Sequence, residues 1–268
     1  MPPAPRPDPG AAEPDDLVVR LRAAGCVFAE EEAGLLRQAT PDPVERDRLA
    51  DRRVAGEPLE LVLGWAEVAG VRLLVGPGVF VPRRRTELMA RETVALASVR
   101  RHPVVVDLCC GVGAVAAVVE RDLPGVEVHA ADLDPVAVGW ARRNLRTEGV
   151  TVGDLYDALP AHLRGRVDVL AANTPYVPSD EIALLPPEAR DHEPRAALDG
   201  GPDGLVLARR VMSGAPDWLA PGGSVLVETS ERQAPVLCTH VAACGLVPRV
   251  ASYDDLGATV VVGTRPHD

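Results

Sequence analysis

The chain has 268 residues, of which 47% are hydrophobic and 25% charged. That length suits one large domain or one with a small companion, and the balance excludes a fibre or a wholly disordered chain. A formal net charge of -11 works against any partner held mainly through phosphates, nucleic acid above all. The opening MPPAPRPDPGAAEPDD is rich in Pro and Asp and has no apolar stretch, so residues 1–15 read as a disordered lead-in, neither a signal peptide nor an anchor. No apolar run reaches the ~20 residues that cross a bilayer. The 5 cysteines (Cys26, Cys109, Cys110, Cys238 and Cys244) lack C-x-x-C spacing, which predicts reduced thiols in the cytoplasm and no metal site.

Residues 16–60 carry three helical patterns, LVVRLRAAG, AEEEAGLLRQA and PVERDRLADRRVAG, separated by Gly25 and by the Thr40-Pro41-Asp42-Pro43 break. They predict a small helical domain, either for substrate recognition or as a packing cap. Residues 61–85 hold short alternating runs, LELVLG, VRLLVG and GVFV, punctuated by glycines, as in a β-hairpin connector. A helix over 86–99 follows. Beyond Pro103 strands alternate with helices, which predicts a parallel sheet with helical crossovers. Strands are expected at 104–108, 126–131, 151–152, 167–172, 224–228, 248–252 and 259–263, and helices at 113–121, 135–148, 203–219 and 230–243. The last two strands are joined by a short turn without a helix, so they should pair antiparallel.

Candidate chemistry begins at VVVDLCCGVGAVAAVV, a buried strand ending in Asp107 and a loop with Gly111 and Gly113 that opens a helix. Such a loop lets a ligand approach backbone N–H groups closely. Asp132 ends the next strand, where a carboxylate can accept both hydroxyls of a ribose. Two glycines rather than three, with Cys109 and Cys110 in the turn, favour a nucleoside without a pyrophosphate; the cysteines themselves read as small filler. Asp154 follows a third strand, placed either to accept from an exocyclic amine of a base, with Leu155 as apolar cover, or to cap a helix. Asn173-Thr174-Pro175-Tyr176 follows the strand VDVLAAN, at the carboxyl edge where open α/β sheets bind ligands. A plain turn would suffice for that spacing, but the tetrad also groups an amide, a stiffened backbone with a free carbonyl, and an aromatic face.

Together these segments resemble the HemK/PrmC family of protein glutamine N(5)-methyltransferases, over residues 42–265. The resemblance includes a Pro-Arg-x-x-Thr-Glu signature at Pro82, Arg83, Thr86 and Glu87, the loop DLCCGVG, the region AADLDPVAVGWARRN, the tetrad NTPY against the family's Asn-Pro-Pro-Tyr, and HEPRAALDGGPDGL from His192 to Leu205. It implies a class I methyltransferase (Rossmann-like) α/β fold, a seven-stranded sheet with an antiparallel C-terminal hairpin over residues 86–268, beside the small helical domain and the connector. It implies S-adenosylmethionine as cofactor and S-adenosylhomocysteine as product. Asp107, Cys109, Gly111 and Gly113 would cradle the methionine part, Asp132 and Leu133 the ribose side, and Asp154 and Leu155 the adenine. Phe80, Thr86 and Glu87 would close the pocket from the connector, with a helix cap and a first-turn acid as the plain alternative for the last two. Asn173, Thr174, Pro175 and Tyr176 would hold the target amide, Asn173 also bordering the cofactor.

The implied partner is a protein carrying an exposed glutamine, with a peptide chain release factor as the candidate, and no membrane or stable nucleic-acid partner. Thr174 stands where the family has its first proline, and the helical part is shorter than the family's usual bundle, so the methyl acceptor stays open. The competing readings are transfer to the exocyclic amine of adenine or cytosine in nucleic acid, transfer to a small molecule, and a nonenzymatic cofactor-binding relative. Arg83-Arg84-Arg85, the one dense basic cluster, reads as a solvated turn with one arginine toward the cofactor.

Overall fold

A computed structural model describes residues 15–267, so the expected lead-in, apart from Asp15, lies outside the described residues. The chain divides into two compact units, Met1–Leu63 and Gly64–Asp268.

In the first unit, helices α1 (Asp16–Ala23), α2 (Ala29–Ala39), α3 (Pro43–Val54) and α4 (Leu59–Leu63) enclose a core of Leu17, Leu21, Ala33, Leu36, Ala50 and Val62. Helix starts follow local chemistry. Asp15 and Asp42 accept the Leu17 and Val44 N–H groups, and Pro43 needs no donor at the first turn. Inside the unit the Arg53 guanidinium donates to both carboxylate oxygens of Glu32, at 2.6 and 3.1 Å. The LELVLG run, expected as a strand, is α4 instead. Its apolar residues Leu61 and Val62 are buried, and the Leu61 and Val62 carbonyls accept from Arg52. A run this short carries too few repeats to separate a helical from a strand period.

In the second unit, β1 (Trp65–Val68) and β2 (Val71–Leu74) form an antiparallel hairpin. GVFV, the other expected strand of the connector, is irregular chain leading to α5 (Thr86–Ser98). There follow β3 (Val104–Leu108), α6 (Ala114–Asp122), β4 (Glu127–Asp132), α7 (Pro135–Asn144), β5 (Val150–Val152), β6 (Val167–Ala172), α8 (Pro187–His192), α9 (Val206–Trp218), β7 (Leu219–Thr229), α10 (Ala234–Ala243), β8 (Val247–Tyr253) and β9 (Ala258–Thr264). The seven strands lie in the order β5-β4-β3-β6-β7-β9-β8, parallel except for β9, which is antiparallel to both its neighbours. This is the expected class I methyltransferase arrangement.

β3 is buried at every position, as a central parallel strand covered on both faces must be. α7 ends at Asn144 rather than 148: the Arg146 and Thr147 N–H groups go to the Glu120 carboxylate, both at 2.8 Å, and the side chain of Asn144 bonds the hairpin and the loop. It accepts the Leu74 N–H at 2.8 Å and donates to the Leu74 and Val112 carbonyls at 3.0 and 2.9 Å. The parallel strands thus deliver the ends of β3, β4 and β6 to one edge, and the hairpin is stapled beside it.

Candidate active site

At that edge the protein encloses a cavity of about 660 Å³. β3 ends in the Asp107 region, and the chain turns through Cys109 (φ 53) and Gly111 (φ 55) into α6. Cys109 is a non-glycine residue in the left-handed region, a conformation that functional turns hold against strain. Asp107 is buried and its Oδ2 accepts the Ala116 N–H at 3.0 Å, while no cation among the described residues pairs with it. Burial pushes its pKa from an ordinary 3.8 to about 7, with the nearby Asp132 charge adding to the rise. Burial also raises the Asp132 pKa. That carboxylate is fixed at both oxygens, Oδ2 accepting from Gly111 N at 2.8 Å and Oδ1 from Asp134 N at 2.9 Å. Each oxygen keeps a second lone pair toward the cavity side. Burial likewise pushes the Cys109 and Cys110 thiols up, so they stay protonated and serve as small turn residues rather than nucleophiles.

The tetrad follows β6 directly. Asn173 Nδ2 donates to Thr86 Oγ1 at 3.3 Å, and Tyr176 OH accepts from Arg85 Nη1 at 2.7 Å. Thr174 is 1% exposed, and its hydroxyl has no partner among the described residues. The loop drawn from HEPRAALDGGPDGL braces this turn from behind. Gly200 N donates to Val177 O at 2.8 Å, and Gly204 lies at φ +74, where an added Cβ would sit 2.2 Å from Tyr176 O. Only glycine permits that approach. The Gln233 amide donates to the Tyr176 and Asp203 carbonyls, both at 2.9 Å, while its oxygen accepts from Thr229 and Ser230. On the connector side Arg83 pairs with the buried Glu193 at 2.5 Å and lies over the Phe80 ring.

Of the residues singled out in the sequence, Phe80, Thr86, Asp107, Cys109, Gly111, Asp132 and Leu133 line the cavity, together with all four tetrad residues. Four do not. Glu87 turns to Arg91 one helical turn on, at 3.0 Å. Gly113 (φ +87) caps α6, and an added Cβ would meet Leu145 at 3.0 Å, so close packing rather than a ligand excludes a side chain there. Asp154 is held by Arg210 at 2.8 Å, and Leu155 is part of the hydrophobic core. The arginine cluster places two residues on the cavity, Arg83 and Arg85, rather than one. Glu193, Gln233 and Glu228 were not singled out; the Glu-Pro pair within HEPRAAL was the available signal for the first, and the other two carried none. A cluster of Glu127, His129 and His162 that could hold a metal ion lies at the amino end of β4, outside this cavity.

The walls fit a nucleoside-linked sulfonium amino acid: a diol acceptor at Asp132, a buried carboxylate lacking a cation at Asp107, and apolar surface from Phe80 and Leu133. Among the described residues no helix is long and apolar enough to cross a membrane. The methyltransferase small domain family matches residues 72–184. A release factor glutamine methyltransferase of Geobacter sulfurreducens is 35% identical over 224 residues, covering 81% of this chain and 76% of that one. A 4-amino-L-phenylalanine/4-methylamino-L-phenylalanine methyltransferase of Streptomyces pristinaespiralis is 39% identical over 202 residues, covering 73% of this chain and 68% of its own length. The solved structure of a methyltransferase from Pyrococcus furiosus superposes with a TM-score of 0.54 at 16% identity, covering 74% of this chain and 90% of that one, a likeness of fold alone. On these matches the chain belongs to the release factor glutamine methyltransferase family and is an S-adenosylmethionine-dependent enzyme.

Proposed function

We propose that the chain methylates the side-chain N5 nitrogen of a glutamine in a peptide chain release factor. The observation that carries this reading is Asn173 on the cavity wall with its NH2 donating to Thr86, an arrangement that frees its oxygen to accept. An amide nitrogen is a poor nucleophile because its lone pair is delocalised into the carbonyl, so catalysis rests on positioning and on acceptors for its two hydrogens. Asn173 Oδ1 and the Thr174 main-chain carbonyl are those acceptors, and Pro175 stiffens the backbone that aims the second. Tyr176, pinned by Arg85 at its hydroxyl and by Gln233 at its carbonyl, packs on the planar amide.

S-adenosylmethionine supplies an electrophilic methyl carbon on a sulfonium. Asp107 and Asp132 would hold its amino acid and ribose ends, and Phe80, Thr86, Cys109, Gly111 and Leu133 would complete the pocket. Bound there, it would supply its methyl to the amide nitrogen as the C–S bond gives way to C–N, with S-adenosylhomocysteine as the leaving group and one proton lost from nitrogen to water. No histidine is needed as base, since an alkylated amide nitrogen is strongly acidic. Asp154, Leu155, Glu87 and Gly113, which stand off the cavity, act through local structure.

The helical unit, expected over residues 16–60 and carried by α4 to Leu63, is the part we assign to acceptor recognition, with the connector running from there to 85 and the methyltransferase domain over 86–268. A release factor acceptor places the protein in the cytoplasm, in keeping with five free cysteines. A net charge of -11 argues against a nucleic-acid acceptor.

The test incubates the full chain with methyl-labelled S-adenosylmethionine and a purified bacterial release factor, then maps the label by mass spectrometry. One methyl on a release factor glutamine is expected. Transfer to 4-amino-L-phenylalanine, offered in parallel, with none to the release factor would overturn the acceptor.

A further inference from the structure

We propose that Glu228 is a positioning residue that, through the Thr86 hydroxyl, fixes which end of the Asn173 amide faces the methyl acceptor; the catalytic half of this inference rests on the function proposed above. β6 and β7 run parallel with Ala172 opposite Val227, so the next residues, Asn173 and Glu228, reach the sheet edge side by side. Thr86, the first residue of α5, lies against both. It accepts from Asn173 Nδ2 at 3.3 Å and is in hydrogen-bonding reach of the Glu228 carboxyl. Thr86 and Glu228 are each 2% exposed, and Glu228 Oε2 has no partner among the described residues.

A hydroxyl has one proton to give. An ionised Glu228 can only accept, so Thr86 donates to it and in turn accepts from Asn173, whose oxygen is left for the acceptor amide. A protonated Glu228 can donate to Thr86 instead. Thr86 then donates to Asn173 Oδ1, the amide turns over, and its NH2 meets the NH2 of the incoming glutamine, donor against donor. The charged and titratable groups facing Glu228 are Arg85, which favours the ionised form, and Tyr176. Burial outweighs Arg85 and brings the Glu228 pKa up to about 7, so both states are within reach of ordinary conditions.

The chain has two asparagines, Asn144 and Asn173, so 15N-asparagine labelling leaves two side-chain NH2 signals to follow by NMR. The Asn173 signals should respond to pH through about 7 in the wild type. They should lose that response in Glu228→Gln and Thr86→Val, and keep it in Thr86→Ser. Because a glutamine at 228 both donates and accepts, kcat on the release factor should fall about tenfold or more in Glu228→Gln, with the dissociation constant for S-adenosylmethionine held within about threefold. Asn173 signals indifferent to Glu228→Gln, or an unchanged kcat, would overturn the proposal; Thr86→Val answers the NMR question if Glu228→Gln does not fold. A wild type inactive on the release factor would refute the acceptor, while the NMR arm still decides the relay.

Discussion

On the proposed function Asn173 and Asp107 divide the work of the site between acceptor and donor, and their variants should then fail differently. Asn173→Ala removes one of two acceptors for the target amide but none of the groups that face the sulfonium amino acid. It is expected to lower kcat by about 100-fold while leaving the dissociation constant for S-adenosylmethionine nearly unchanged, as read by titration calorimetry beside a transfer assay. Loss of both together would contradict the division.

Asp107 carries the pH dependence. Its pKa is raised from 3.8 to about 7 by burial, so in the ligand-free protein it is neutral below that point and an uncompensated buried anion above it. S-adenosylmethionine is cationic at its sulfonium and its ammonium, so if Asp107 holds it as proposed, the ionised form is the one that binds. Its affinity should therefore rise with pH through about 7 and level off beyond. The stability of the free protein runs the other way. A carboxyl whose folded pKa lies above its unfolded value costs stability progressively as pH climbs from about 4 to about 7. Asp107→Asn is expected to bind the cofactor weakly and without this pH dependence, yet to melt at a higher temperature than the wild type at pH ~8. Calorimetry and thermal scans at two pH values check both halves, and a variant with lower Tm at the alkaline value would sink the account.

At the scale of elements, the site is a meeting of loops that only the sheet could bring together. β3, β4 and β6 were legible as apolar runs bounded by turns, and their order follows from right-handed crossovers. The cofactor loop and the tetrad were legible because each is a contiguous string at the end of a strand. The braces behind them were not. Arg85 bonds Tyr176 across 91 residues and Gln233 across 57, and a separation of that size leaves no local pattern. Glu228 read as one more residue of a strand, since nothing in GGSVLVET says which side chain will lie beside the half-buried Asn173. Two local readings failed for opposite reasons. LELVLG was too short to separate a helical from a strand period, and the helix expected to 148 ends at Asn144 because the Arg146 and Thr147 N–H groups go to Glu120, far earlier in the chain. Gln233 offers a direct check on the braces. Its amide satisfies two carbonyls and its oxygen accepts from the turn that starts α10, all nearly out of solvent. Gln233→Ala should cost on the order of 2 kcal/mol of stability and lower kcat by loosening the Tyr176 ring, with the S-adenosylmethionine affinity little changed. Equal loss of cofactor affinity would show that the turn supports the donor side instead.

For the whole molecule, each unit has its own core: Leu17, Leu21, Ala33, Leu36 and Val62 in the first, and in the second the buried strands β3, β6, β7 and β9 with the helices that cover them. Every residue lining the cavity falls between Val79 and Leu207, inside the second unit. Donor binding and acceptor recognition are therefore separable by truncation if the helical unit serves the acceptor. A fragment of residues 64–268 is expected to bind S-adenosylmethionine with a dissociation constant within about threefold of the full chain, because the groups that hold it are all retained. Its KM for the release factor should rise by about tenfold or more, the loss of a recognition surface rather than of transition-state contacts, while kcat at saturating acceptor stays close to that of the full chain. A fragment that methylates the release factor with the KM of the full chain would show that residues 1–63 serve another purpose, and would move acceptor recognition onto the rim of the cavity itself.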